Sequence, residues 1–150
     1  MRYLLASLTL SAACLFQPPS LVSAERSDIA GIWRLDTANA PTFDGKMVTS
    51  GRLTVQYHHK IVQLAESLTF PDGDRSVDKN WKVDSHYHPV LGDGSGQTLA
   101  KWEGLTLLAD HENGGAHENV RLTLSPDGHS LTETTQRPDG SSNVFTWKRP

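Results

Sequence analysis

The chain has 150 residues, one cysteine and a formal net charge of −3 at pH 7, with a mean hydropathy of −0.43. A length of this order carries one domain, and a single cysteine excludes a disulfide framework. Mild acidity without a basic run speaks against nucleic acid or an anionic membrane surface as partner.

Taken in chain order, the first element is a leader. Arg2 provides a positive start, Leu4 to Phe16 is an apolar run broken only by Ser and Thr, and Val22-Ser23-Ala24 places small residues before Glu25. This is the pattern of a cleavable signal peptide over 1–24, too short to span a bilayer as an anchor, and it predicts a secreted or periplasmic protein. An alternative reads Leu10-Ser11-Ala12-Ala13-Cys14 as a lipobox that anchors the chain by a lipid on Cys14. After cleavage at Ala24 the remaining chain, 25–150, has no cysteine, so thiolate chemistry is excluded, and no second long apolar segment follows.

Ile29 to Leu35 reads as a first strand, followed by a long loop from Thr37 to Ser50 that carries Pro41 and Gly45. Leu53, Val55 and Tyr57 alternate with Thr54, Gln56 and His58, the period of a half-buried strand. Ile61 to Phe70 and Arg75 to Val83 form the next pair, separated by Pro71-Asp72-Gly73. In such a turn Pro presets the first dihedral, Asp bonds its own backbone and Gly accepts the positive φ. A second long loop, Ser85 to Gln97, carries Pro89 and the run Gly92 to Gly96. Strands then follow over Thr98 to Glu103, Leu105 to Asp110, and Val120 to Leu124, where Val120, Leu122 and Leu124 alternate with Arg121 and Thr123. Pro126-Asp127-Gly128 and Pro138-Asp139-Gly140 set off the last two, Ser130 to Gln136 and Asn143 to Lys148. About eight or nine short strands joined by tight turns predict an all-β antiparallel meander closing into a barrel or a sandwich.

The first strand reads Ala30-Gly31-Ile32-Trp33-Arg34-Leu35-Asp36, and its Gly-x-Trp resembles the opening signature of lipocalins and related calycin barrels. The resemblance implies a lipocalin-like barrel over 25–150, with Trp33 closing one end and Lys148 or Arg149, from Trp147-Lys148-Arg149, stacked across it. Leu124-Ser125-Pro126-Asp127-Gly128-His129-Ser130-Leu131-Thr132 is similar to a hairpin found in a group of small exported bacterial proteins that open with the same kind of strand.

Seven histidines invite a metal reading: His86 and His88 would share one face of an extended segment, and His111 or His117, each followed by an acid, would add a third ligand. The competing reading places them as polar residues on the outer face and loop tips; His58 and His59, adjacent in a strand, would point opposite ways. Asp72, Asp74, Ser76 and Asp78 have calcium-loop spacing, but Val77 and Val83 stand where Gly and the bidentate acid are needed, which favours an acidic hairpin tip. No phosphate cradle or serine elbow is present, no catalytic residue stands out, and no cofactor is implied. Tyr57, Trp81 and Trp102 are the candidate lining residues of an interior cavity. The expected function is non-enzymatic: binding of a small apolar or amphiphilic molecule. The alternatives are metal binding through the histidines, or an envelope-interaction module with a filled barrel.

Overall fold

The computed structural model describes residues 25–39, 41–90 and 94–150; the leader with Cys14 and part of the Gly92 to Gly96 run lie outside them. A 3-10 turn, Arg26–Ile29, leads into β1, Gly31–Leu35. Next come a second 3-10 turn, Thr37–Asn39, and a small hairpin of β2, Thr42–Phe43, and β3, Lys46–Met47. The long strands β4, Ser50–His58, β5, Ile61–Phe70, and β6, Gly73–Lys82, follow, and then a short β7, Tyr87–Pro89. The chain ends with β8, Gln97–Glu103, β9, Thr106–Asn113, β10, Ala116–Leu124, β11, Ser130–Gln136, and β12, Ser142–Lys148.

Ten of these strands form one curled sheet in the order β6-β5-β4-β1-β12-β11-β10-β9-β8-β7, with every neighbour antiparallel. The meander is closed by its last strand lying beside its first. Its two free edges approach each other at a seam, where Val83 bridges to Ala100 in parallel and the Ser85 amide donates to the Ala100 carbonyl at 3.0 Å. Among the described residues no helix is long and apolar enough to cross a membrane.

The alternating pattern places the side chains. Leu53, Val55, Val120 and Leu122 are all buried, as are Val62, Leu64, Leu107, Leu124 and Leu131, and they build one continuous core. The three Pro-Asp-Gly sequences sit between paired strands, and Asp127 and Asp139 each accept hydrogen bonds from residues two on in the chain, the amides of His129 and Ser141. Gly114 and Gly115, at φ +60° and +84°, turn β9 into β10 in a conformation that L side chains resist.

Three expectations are corrected. The sheet has ten strands where the sequence reads about eight or nine, the added one being β7, in a stretch read as loop; it carries Pro89 and has no apolar alternation, and its pairing comes entirely from β8. The loop from Thr37 to Ser50 contains the β2–β3 hairpin, turned by Asp44 and Gly45 at φ +51° and +75°. His59 is not in a strand beside His58. It is in the β4–β5 turn at φ +48°, and the two imidazoles lie together with ring centroids 3.7 Å apart.

One end of the barrel is sealed. Trp33 is fully buried and its Nε1 donates to the Ile29 carbonyl at 2.9 Å. The Arg149 guanidinium lies 4.4 Å from the Trp33 ring centroid and donates to the carbonyls of Gly128, Asp28 and Ala30. Gly31 stands there at φ +136°, a conformation that L side chains rarely adopt, and a Cβ would come within 3.0 Å of that guanidinium. Lys148 faces away and pairs with Asp36 at 2.7 Å.

Candidate ligand cavity

Strand register decides what faces the interior. On β5 the inward row is Val62, Leu64, Glu66 and Leu68, and on the neighbouring β6 it is Trp81, Lys79, Val77 and Arg75, opposite them in the same order. On β11 it is Leu131, Glu133 and Thr135, on β10 Glu118, Val120 and Leu122, and on β9 His111, Ala109 and Leu107. The sealed end is therefore apolar and the other half of the interior carries charge.

The half of the barrel around β1 and β12 is filled by side chains: Phe145 packs edge-on against Trp147 at 6.0 Å, and Trp33, Leu35, Leu53 and Leu68 complete the packing. Opposite, a cavity of about 670 Å³ is bounded by β4, β5, β6, β8, β9 and β10. Leu64, Trp81, Thr98, Ala109 and Val120 give it an apolar wall, and Lys79, His111 and Glu118 line its charged side. It reaches the seam, where Trp81, Thr98 and Val90 border it. Thr54, Gln56, Gln63 and Asp78, on the opposite face of β4 to β6, also bound it, so part of this volume lies outside the wall.

A second space of about 140 Å³ adjoins it, with Lys79 and Glu118 bordering both. Its floor is a pair of carboxyl groups. Glu133 is 3% exposed and its Oε2 accepts a hydrogen bond from Trp147 Nε1 at 3.0 Å. Burial and the facing Glu133 push Glu66 up to about 7, against the pull of Lys79 and Arg75; burial raises Glu133 as well. The β2–β3 hairpin roofs this space. Phe43 stacks on Phe145 at 6.3 Å and lies under the guanidiniums of Arg75 and Arg137, 4.3 and 4.9 Å from its ring centroid. Asp44 fastens the hairpin by pairing with Arg137 at 2.6 Å and Arg75 at 3.7 Å.

Of the aromatic residues expected to line a cavity, Trp81 does so. Tyr57 and Trp102 pack on each other edge-on at 5.8 Å, outside the residues that bound either space. The expected metal ligands are distributed over separate partners: His86 and His88 on Asp84, His117 on Asp110, and His111 near Thr98. Among the described residues no three His, Cys, Asp or Glu side chains are grouped to hold an ion. His88 and Lys82 hold the Asp84 carboxyl far below the usual carboxylate range. The residues missed from sequence are Glu66, Lys79, Glu118, Glu133 and the hairpin's Phe43. A signal existed: Glu66 occupies the inward beat of the otherwise apolar row Val62, Leu64, Leu68, and Glu133 the inward beat after Leu131.

No family model and no curated protein sequence matches the chain. Solved structures do. The wild-type fluorescent protein UnaG superposes with a TM-score of 0.62 at 12% identity, over 84% of this chain and 100% of that one. Apo lipid binding protein 8 of Caenorhabditis elegans gives 0.59 at 11% identity over 86% and 99%, and fatty-acid-binding protein 1 of Echinococcus granulosus gives 0.57 at 14% over 81% and 97%. At these identities the likeness establishes architecture alone: the chain has the fold of a calycin-type β-barrel.

Proposed function

We propose that this protein binds a small apolar or amphiphilic molecule inside its barrel, as a carrier and not as an enzyme. The observation that carries the reading is the unfilled space walled by Leu64, Trp81, Ala109 and Val120 and continuous with a charged end, the inner part of a cavity of about 670 Å³. Ligand sites of this kind are concave and mostly apolar, with a few placed polar groups. The structurally similar proteins include a lipid binding protein and a fatty-acid-binding protein, which supports the same reading. The leader read in the sequence adds the address: an exported protein whose mature chain starts at Glu25.

Tryptophan fluorescence tests the binding. Trp81 lies on the cavity wall, so an apolar ligand should shift its emission saturably, and Trp81→Phe should abolish most of the change while leaving binding measurable by calorimetry. Absence of saturable binding across alkyl chains, sterols and tetrapyrrole pigments would remove the proposal.

A further inference from the structure

The small space under the hairpin has a chemistry of its own. Glu133 comes from β11, Glu66 from β5 and Glu118 from β10, and Lys79 of β6 is the lysine among them. Arg75 and Arg137 also border the space, but their guanidiniums are committed to the Phe43 ring and to Asp44 on the hairpin turn. His111 of β9 lies behind Glu118 in register, on the side of the larger cavity. Three carboxyl groups therefore meet one cation without a partner on the hairpin, Lys79, with Arg75 still pulling on Glu66 from the rim. In addition Asn143 Nδ2, on β12, is buried in the wall with no hydrogen-bond partner, an arrangement that destabilises a protein unless something accepts that bond.

We propose that this space is the head-group subsite of the cavity and takes a primary ammonium group with a neighbouring hydroxyl or carbonyl oxygen, carried on a long apolar chain. The inference rests on the carrier reading above and deepens it. The ammonium sits between Glu66 and Glu133, the oxygen accepts from Asn143, and the chain runs past Lys79 and Glu118 along Trp81 and Val120. Half-buried Glu66 facing the buried Glu133 keeps a proton near neutral pH, and an arriving cation takes its place. A carboxylate head, in contrast, adds a negative charge beside Glu66, Glu118 and Glu133 and binds only with uptake of a further proton.

The test titrates decylamine, decanol and decanoate into the mature protein by calorimetry and tryptophan fluorescence. With Glu66 at about 7, decylamine affinity should rise about tenfold from about pH 6 to about pH 8, with release of a proton on binding seen in buffers of different ionisation enthalpy. At the higher pH decylamine should exceed decanoate by at least about tenfold. Glu66→Gln should remove the pH dependence of decylamine binding; the proton release is read on the unaltered protein and does not depend on that variant folding. Decanoate binding as tightly as decylamine at about pH 8, or decylamine binding without proton release, overturns the head-group assignment while leaving the carrier reading intact. Failure of all three chains to bind overturns both.

Discussion

A carboxyl pair, Glu133 buried and Glu66 half-buried, makes protons part of this protein's stability. Glu66 keeps its proton in the folded chain up to about pH 7, whereas the unfolded chain releases it near 4.5. Between those values the folded state binds more protons, so stability is full below about 4.5, falls as pH rises towards about 7, and is level above that. Asp84 and Asp110 act in the opposite sense: their partners, His88 with Lys82 and Tyr87 with His117, hold them ionised, and their contribution disappears on acidification below the usual carboxylate range. Urea unfolding as a function of pH should thus show a maximum on the acid side of neutrality. Glu66→Gln should flatten the descending side and raise stability near pH 8 by about 1–2 kcal/mol, since it removes a burdened charge without emptying its volume. An unchanged slope in that variant would mean that the pair does not hold the proton.

At the scale of elements, the β2–β3 hairpin is attached differently from the rest of the barrel. It pairs only with itself and is fastened by Phe43, by Asp44 and by the exposed Lys46–Asp72 contact. Exposed ion pairs contribute about 0–1 kcal/mol each, and guanidiniums over an aromatic face about 0.5–1 kcal/mol. The hairpin is therefore held by little more than the Phe43 ring, while the ten strands beneath share backbone ladders. Phe43→Ala should destabilise the protein by about 1–3 kcal/mol, below the range for a fully buried phenylalanine, and speed ligand release more than tenfold in stopped-flow displacement. Asp44→Asn should do less, and its effect should vanish at high salt as screening removes the pair's advantage. Equal release rates in Phe43→Ala and the unaltered protein would show that ligands pass through the seam instead.

The whole molecule combines a sealed, packed half and a hollow half. Packing around Trp33, Trp147 and Phe145 supplies the stability that lets the wall at Trp81, Ala109 and Val120 remain unfilled. A ligand occupying that space binds only the closed barrel, so its binding energy adds to folding. At about a hundredfold excess over Kd the gain should be about 2.7 kcal/mol, read as an upward shift in thermal midpoint that scales with the logarithm of ligand concentration. The outer polar row of β6, Asp74, Ser76, Asp78 and Asn80, places charge and hydrogen-bonding groups along an open edge, which discourages edge-to-edge pairing of two copies.

Alternation and turn chemistry are local, and they were legible without a structure. Ile61 to Phe70 and Ser130 to Gln136 coincide with β5 and β11 end to end, and the Pro-Asp-Gly turns fall where strands reverse. The inward beat of Glu66 was equally present in the sequence, as a charged residue in a row of Val and Leu, and Glu133 falls on the same beat two residues after Leu131. That the two meet, sixty-odd positions apart in the chain, depends on β12 lying beside β1 and on the sheet curling shut. The same long-range closure separates Trp81 from Tyr57 and Trp102, puts Arg149 and not Lys148 over Trp33, and keeps His117 on Asp110 apart from His86 and His88 on Asp84. Which residues face inward follows from a period of two along one strand; which of them touch, and whether space is left between them, is set by how ten strands share one interior.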